Sequence, residues 1–368
     1  MSENSKIEWT HATFNPWIGC TKVSSGCKNC YAEADMDLRR HRAEWGDAGT
    51  RSITSPSYWH QPVKWDQQAK LAGERRRVFC ASLADIFEDW QGQLLDSKWE
   101  AIWWPSYEIN ALAFDNYKVP LTDAYAPVTQ DMVRQKLFRL IENTPHLDWL
   151  MLTKRPENIM AKIPEHWRSK LPENVWIGTS VENEEAADIR IPHLLQVPAS
   201  VRFLSCEPLL GPVDLSEYLT LTETNGDSEH FSKYGWCYDS WSGGFMGPGQ
   251  NDTYDPRSGI HWIIAGGESG PNARPMHPDW ARSLRNQCKD ADVPFLFKQW
   301  GEWRQYDHCN GDNARPLGMF EEGVFRAGNI AWDQKRESVH MAKVGKKAAG
   351  RLLDGREWNE FPTVNQQP

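Results

Sequence analysis

The chain has 368 residues, 40% of them hydrophobic, enough for one barrel-sized domain or two ordinary ones. No apolar run approaches the length of a membrane span, and the opening MSENSKIEWT lacks the apolar stretch of a signal peptide. A net charge of -9 argues against a protein that coats nucleic acid through its overall field. Eight cysteines, three clustered and five scattered, do not form the framework of a secreted disulfide protein in a chain this long, so the expectation is a cytoplasmic protein with reduced thiols. Local basic groups (Arg39, Arg40 and Arg42; Arg75 to Arg77; Lys343, Lys346, Lys347 and Arg351) read as solvated helix faces. Most of the twenty tryptophans must be core, because a bulky ring buries a large apolar area.

In chain order, the first strand candidate is the run FNPWIGC, and it leads directly into a Gly/Ser/Asn-rich loop that carries Cys20, Cys27 and Cys30. Six further apolar runs follow: RVFCASLADIF (77–87), LDWLMLTKR (147–155), NVWIGTSVEN (174–183), VRFLSCEPL (201–209), HWIIAGGESG (261–270) and VPFLFKQWG (293–301). Near-continuous apolar order is the mark of strands buried on both faces of a parallel sheet. Helices are predicted between them over 157–170, 184–196 and 278–290, the last with Asp279 at its N-terminus and a proline beyond its end. Alternating strand and helix predicts an α/β fold with right-handed crossovers, a complete or partial (β/α) TIM-like barrel over residues 1–301. Residues 89–135 and 216–258 break the rhythm and read as insertions, and 302–368 read as an extension without strand rhythm, packed on the barrel.

Polar residues gather where these strands end: Ser82 and Asp85, Lys154 and Arg155, Ser180 with Glu182 and Asn183, Glu207, Glu268 and Ser269, Lys298 and Gln299. That is the rim on which a (β/α) barrel builds its site. The cysteine spacing is C-x6-C-x2-C with no fourth cysteine nearby. Three thiolates suit a cluster or metal that keeps one coordination position open for chemistry. Two plainer readings stand beside it: a zinc site closed by His11, Cys80 or Cys206, and three thiols that are simply reduced. In the turn Gly266, Gly267, Glu268, Ser269, exposed backbone amides can receive a carboxylate or phosphate, and the plain alternative is a tight turn. Glu207 and Glu182 suit ribose hydroxyls or a ligand amine, or else ion pairs with Lys154, Arg155 or Lys298.

IEWTHATFNPWIGCTKVSSGCKNCYAE, followed by LTKRPEN, NVWIGTSVEN, RFLSCEPLLGP, WIIAGGESGPNARP, FLFKQWG and KVGKKAAGRLLDGREWNEFP, resembles the phage and prophage family named for a three-cysteine motif. That family is similar to radical S-adenosylmethionine (SAM) enzymes, and the resemblance covers nearly the whole chain. It implies a radical-SAM-type barrel with a [4Fe-4S] cluster on Cys20, Cys27 and Cys30. It also implies SAM contacts from Tyr31, Ser82, Asp85, Ser180, Glu182, Asn183 and the turn Gly266–Ser269, with Lys154, Arg155, Glu207 and Lys298 holding substrate or cofactor anions. The common radical-SAM spacing is C-x3-C-x2-C with an aromatic before the last cysteine. Here the first gap is longer, Asn29 stands at the aromatic position and Tyr31 follows the last cysteine.

The expected function is therefore generation of a 5′-deoxyadenosyl radical with a reducing electron donor, for modification or repair of a nucleobase or nucleic acid in a bacterial host cytoplasm. Two rival classes remain: a zinc-stabilised, non-redox barrel that binds or hydrolyses nucleic acid, and a non-catalytic phage adaptor.

Overall fold

The computed structural model describes residues 5, 7–112, 124–219, 237–239, 244–246, 259–306, 318–321, 323–328 and 338–363. Seven strands form one sheet: β1 (Ala12–Thr13), β2 (Arg76–Cys80), β3 (Leu147–Thr153), β4 (Val175–Ser180), β5 (Val201–Cys206), β6 (Trp262–Gly266) and β7 (Phe295–Gln299). They lie in chain order, and the pairs β1–β2, β2–β3, β3–β4, β5–β6 and β6–β7 run parallel. A doubly wound fold reverses its strand order partway, whereas this sheet does not. The expected α/β architecture with a parallel sheet is thus present, and its cause is visible in burial. Every residue of β4, β5 and β6 is buried, so only apolar or internally bonded side chains fit there.

The chain falls into two compact units, Met1–Thr179 with Val197–Ser200, and Ser180–Gln196 with Val201–Pro368. In the first, Phe14 stacks on Tyr58 at 5.0 Å and meets the edge of Trp149 at 5.7 Å. Helix α1 (Gln61–Ala72) adds Trp65 to this core, and α2 (Gln130–Glu142) adds Leu137 and Phe138. Thr129 caps α2 by accepting from the Met132 amide. In the second unit, α3 (Glu184–Leu195) and α4 (Pro278–Asp290) follow strand ends, as their sequence patterns predict. Buried Ala281, Leu284 and Cys288 share one face of α4.

Four expectations need correction. In FNPWIGC the sheet strand lies upstream, at Ala12–Thr13, while Trp17–Ile18 pairs antiparallel with Ser52–Ile53. Pro16 has no N–H to give a central ladder, which separates the two pieces. The helix expected over 157–170 is broken into short turns around Ile159–Lys162, because Pro164 holds Ile163 in extended backbone. The first insertion ends earlier than 135: it holds an antiparallel pair, Trp103–Pro105 with Tyr125–Pro127, and α2 then resumes the strand–helix rhythm. The tail is not strandless. Strands β8 (Trp303–Gln305), β9 (Gly318–Glu321), β10 (Val324–Ala327) and β11 (Val339–Lys343) form an antiparallel sheet in the order β8-β11-β9-β10.

That sheet buries Trp303, Phe320 and Met341 with Ala273. The chain end also packs on strands of its own unit: the Phe297 amide donates to the Trp358 carbonyl, and Trp262 Nε1 donates to the Glu360 carbonyl. The expected insertion over 216–258 opens with a short helix at Ser216–Leu219, and 220–236, 240–243 and 247–258 lie outside the described residues. Among the described residues no helix is long and apolar enough to cross a membrane.

Two outcomes follow for stability. Leu150→Ala, in the fully buried centre of β3, is expected to cost about 2–5 kcal/mol in a urea titration, and Leu71→Ala, at 89% exposure, less than about 0.5 kcal/mol. His277 caps α4 by accepting the Asp279 amide on Nδ1, a bond that requires the neutral ring. Burial lowers its pKa from 6.5, with Arg282 pushing the same way and Asp279 opposing. Stability from this group is therefore complete above 6.5 and lost as pH falls below it. His277→Asn, which keeps an acceptor but cannot charge, should flatten the thermal-stability profile between about pH 7 and 5.5.

Candidate functional site

In the first unit, the cysteine loop lies over residues that follow β2 and β3. Gly19 pairs with Ala84 in a parallel bridge, its amide donating to the Leu83 carbonyl at 3.1 Å. Asn15 fixes the same turn, with Oδ1 accepting from the Leu83 amide at 2.7 Å and Nδ2 donating to Ser82 Oγ. Tyr31 reaches the turn from the other side of the loop, its hydroxyl donating to the Ser82 carbonyl at 2.6 Å while 57% of the residue stays exposed. Cys20, Cys27, Cys30, Tyr31, Ser82, Asp85, Lys154 and Arg155 are thus all in one unit, at strand ends that point the same way.

Asp85 is buried and spends its oxygens on the end of β3. Oδ1 accepts from Thr153 Oγ1 at 2.7 Å, and Oδ2 accepts from the Lys154 amide and from Arg155 Nη1 at 2.9 Å. The Arg155 guanidinium continues to the loop, with Nη2 donating to the Thr21 carbonyl at 2.8 Å and Nη1 lying 3.9 Å from Cys20 Sγ. Burial pushes the Cys20 thiol up, Asp85 and Glu88 push the same way, and Arg155 pulls it down. Burial likewise pushes Cys30 up, with Cys27 adding and Lys154 opposing. The half-buried Lys154 forms no ion pair among the described residues, which leaves its ammonium able to receive an anion.

Sequence reasoning missed the partners that hold this loop. Glu88, 2% exposed, accepts from the Thr21 amide, from Arg51 Nη2 and Nε, and from Gln130 Nε2, at 2.7, 2.7, 2.8 and 3.0 Å. Arg51 is fully buried, lies 4.9 Å from the centre of the Trp90 ring and also donates to Thr21 Oγ1 at 2.9 Å. The only hint in the sequence is a carboxylate directly after the apolar run ending IF; nothing in the spacing joins it to Arg51 or Gln130.

Cys20, Cys27, Cys30, Cys80, Cys206 and Cys288 are free thiols, and the first three are each half-buried. Among the described residues no three His, Cys, Asp or Glu side chains are gathered as one metal ion would gather them. A tetrahedral zinc with bonds of about 2.3 Å draws its sulfurs to roughly 3.8 Å. A four-iron cluster takes each cysteine on a different iron and so accepts a wider triangle of sulfurs. Three thiols in one loop are donors that either an iron–sulfur cluster or a zinc ion would take. Of the candidate closing ligands, His11 accepts the Arg77 amide on Nδ1, while Cys80 and Cys206 are buried free thiols in β2 and β5.

The second unit carries its own polar strand ends. Lys298 Nζ donates to Glu207 Oε2 at 2.8 Å, and Gln299 Nε2 donates to Glu207 Oε1 and to Ser269 Oγ. Glu182 is paired with Arg190 Nη1 at 2.7 Å, the same nitrogen donating to the Ser180 carbonyl. Asn183 caps α3 by accepting the Ala186 amide. Glu268 is clamped by Arg274, through its backbone amide, Nε and Nη2. Gly267 is required for packing, because a Cβ there would stand 2.0 Å from the Trp300 carbonyl oxygen. Gly266 leaves room beside the Glu207 carboxylate. The turn thus brings Ser269 to Glu207 and Gln299, while Glu182, Asn183 and Glu268 are engaged in local bonds.

The molecule is an α/β protein with a parallel sheet in chain order and a three-thiol loop over its strand ends. Its sequence matches the family model described as a protein of unknown function, DUF5131, over residues 4–104 and 115–362, and the chain belongs to that family. Neither the curated proteins nor the solved structures compared with it gave a match.

Breaking the buried pair should separate structural from surface charge. Asp85→Ala, which leaves Arg155 without its carboxylate, is expected to cost about 3–5 kcal/mol. Asp89→Ala removes an ion pair to Lys162 from a carboxylate 61% exposed and should cost less than about 1 kcal/mol in the same titration.

Proposed function

We propose that the chain is a radical-SAM-like iron–sulfur enzyme, a partial (β/α) barrel of the phage three-cysteine-motif kind. Cys20, Cys27 and Cys30 hold a [4Fe-4S] cluster, and the substrate carries a nucleobase. The observation that carries the reading is the loop of three free, half-buried thiols laid over the ends of parallel strands. Free thiols accord with work in a reducing host cytoplasm.

A reduced cluster bound there supplies the single electron that cleaves SAM and so makes a hydrogen-abstracting radical. The protein's own residues bind, orient and shield. Lys154, at the end of β3, offers a positive charge for the carboxylate of SAM or for a substrate anion. Tyr31 offers an exposed ring to a purine or a flipped base, and its hydroxyl bond to Ser82 keeps that ring in place. Asp85 and Arg155 close the floor beneath Cys20 and exclude water there.

The test is anaerobic purification with iron, sulfide and zinc analysis beside a variant carrying Cys20→Ala, Cys27→Ala and Cys30→Ala. About four irons per chain with a broad band near 400 nm, both lost in the variant, is the expected result. After reduction, the loaded protein should release 5′-deoxyadenosine from SAM. Stoichiometric zinc without iron would overturn the proposal in favour of a structural site.

A further inference from the structure

The three cysteines are not held alike. Cys27 and Cys30 sit in local turns, the Cys27 amide donating to the Ser24 carbonyl and the Cys30 carbonyl accepting from the Ala34 amide, with Tyr31 beyond them tied to the Ser82 carbonyl and not to the Glu88 cluster. Cys20 is fixed from both sides by distant parts of the chain. Before it, Gly19 takes a φ of +115°, and a Cβ there would stand 2.5 Å from the Thr50 carbonyl oxygen, so the backbone passes where only glycine fits. At Cys20 itself, the carbonyl accepts from the Gly46 amide. After it, Thr21 is gripped at three points. Its amide donates to Glu88 Oε1, its hydroxyl accepts from Arg51 Nη2, and its carbonyl accepts from Arg155 Nη2.

We propose that Glu88, acting with Arg51 through Thr21, is a positioning residue that presets Cys20 before any group is bound. Glu88 is suited to this because its carboxylate, 2% exposed, is satisfied by four donors from three separate segments, one of which is the residue after Cys20. An ionised acceptor in a site without water bonds its donors more tightly than a neutral one does. Removing its charge therefore frees Thr21 before it frees anything in the local turns that hold Cys27 and Cys30.

The inference rests on Cys20 being a thiol the site uses, but its test needs no metal. In the metal-free chain, Glu88→Gln should raise amide exchange at Thr21 about tenfold, the loss of one hydrogen bond to a charged acceptor. Alkylation of Cys20 by iodoacetamide should rise by more, because the lost charge also favours the thiolate, whereas Thr21→Val keeps the Glu88 charge and isolates the positional part. Cys27 and Cys30 should keep their wild-type rates. Should Glu88→Gln fail to fold, Thr21→Val removes only the tie to Arg51, and a rise of about threefold at Cys20 alone is expected. Asp148→Asn, which breaks the pair with Arg75 at the opposite end of β3, controls for general loosening and should leave all three cysteines unchanged. Unchanged Cys20 in a folded variant, or all three cysteines rising together, would overturn the proposal. Iron content is read separately. A folded Glu88→Gln chain with a freed Cys20, beside a wild type that binds zinc alone, would retain the positioning role and remove the cluster.

Discussion

A carboxylate taken out of water must be surrounded by donors or lose its charge, and Glu88 meets that demand by drawing together three parts of the chain far apart in sequence. Arg51, Gln130 and Thr21 converge on it, and Arg155 lies 3.6 Å away while bonded to Asp85 and to the Thr21 carbonyl. Each buried guanidinium here has a carboxylate partner, Arg51 with Glu88, Arg155 with Asp85 and Arg134 with Asp131, so no ion is left alone. This arrangement ties the cysteine loop to the ends of β2 and β3. Arg134 extends it by donating to the Ile86 and Glu88 carbonyls from α2. The loop's shape thus depends on interactions that stabilise the first unit as a whole.

Buried ion pairs add little net stability compared with apolar packing of the same volume, but they are costly to break, which makes them good at specifying one geometry. The same chemistry serves a different end in the second unit. There Glu182 and Arg190, and Glu268 and Arg274, brace helix and turn locally, within eight residues or fewer of each other. Glu207 instead gathers Lys298 and Gln299 from a strand ninety residues away, which places polar groups at one rim of the sheet. The long-range clusters of each unit are therefore the places where chemistry is to be sought, and the short-range ones are scaffolding.

Much of the fold was legible because burial dictates composition. A strand covered on both faces must be apolar throughout, and all six runs from 77 to 301 contain a strand of the sheet. The failures lie where proline governs. Pro16 displaced the first strand, and Pro164 broke the helix expected over 157–170. The tail misled for another reason. Its sheet is half-exposed and antiparallel, so strands such as Val324–Ala327 lack the continuous apolar signal of the central ones. At the site, the cysteines and the strand-end residues could be picked out by type, yet Glu182, Asn183 and Glu268 proved to be engaged in local bonds that residue type alone does not reveal.

By itself the sequence determined the class of fold, the positions of the strands that carry polar ends, and the presence of three thiols in a single loop. These are local properties, set by apolar order and by residue spacing along the chain. Only the tertiary structure decided which of those polar groups meet. Glu88 and Arg51 lie 37 residues apart and Thr21 and Glu88 lie 67 apart, distances across which spacing carries no information. Their meeting follows from the parallel sheet, which sets the ends of successive strands side by side however long the chain between them.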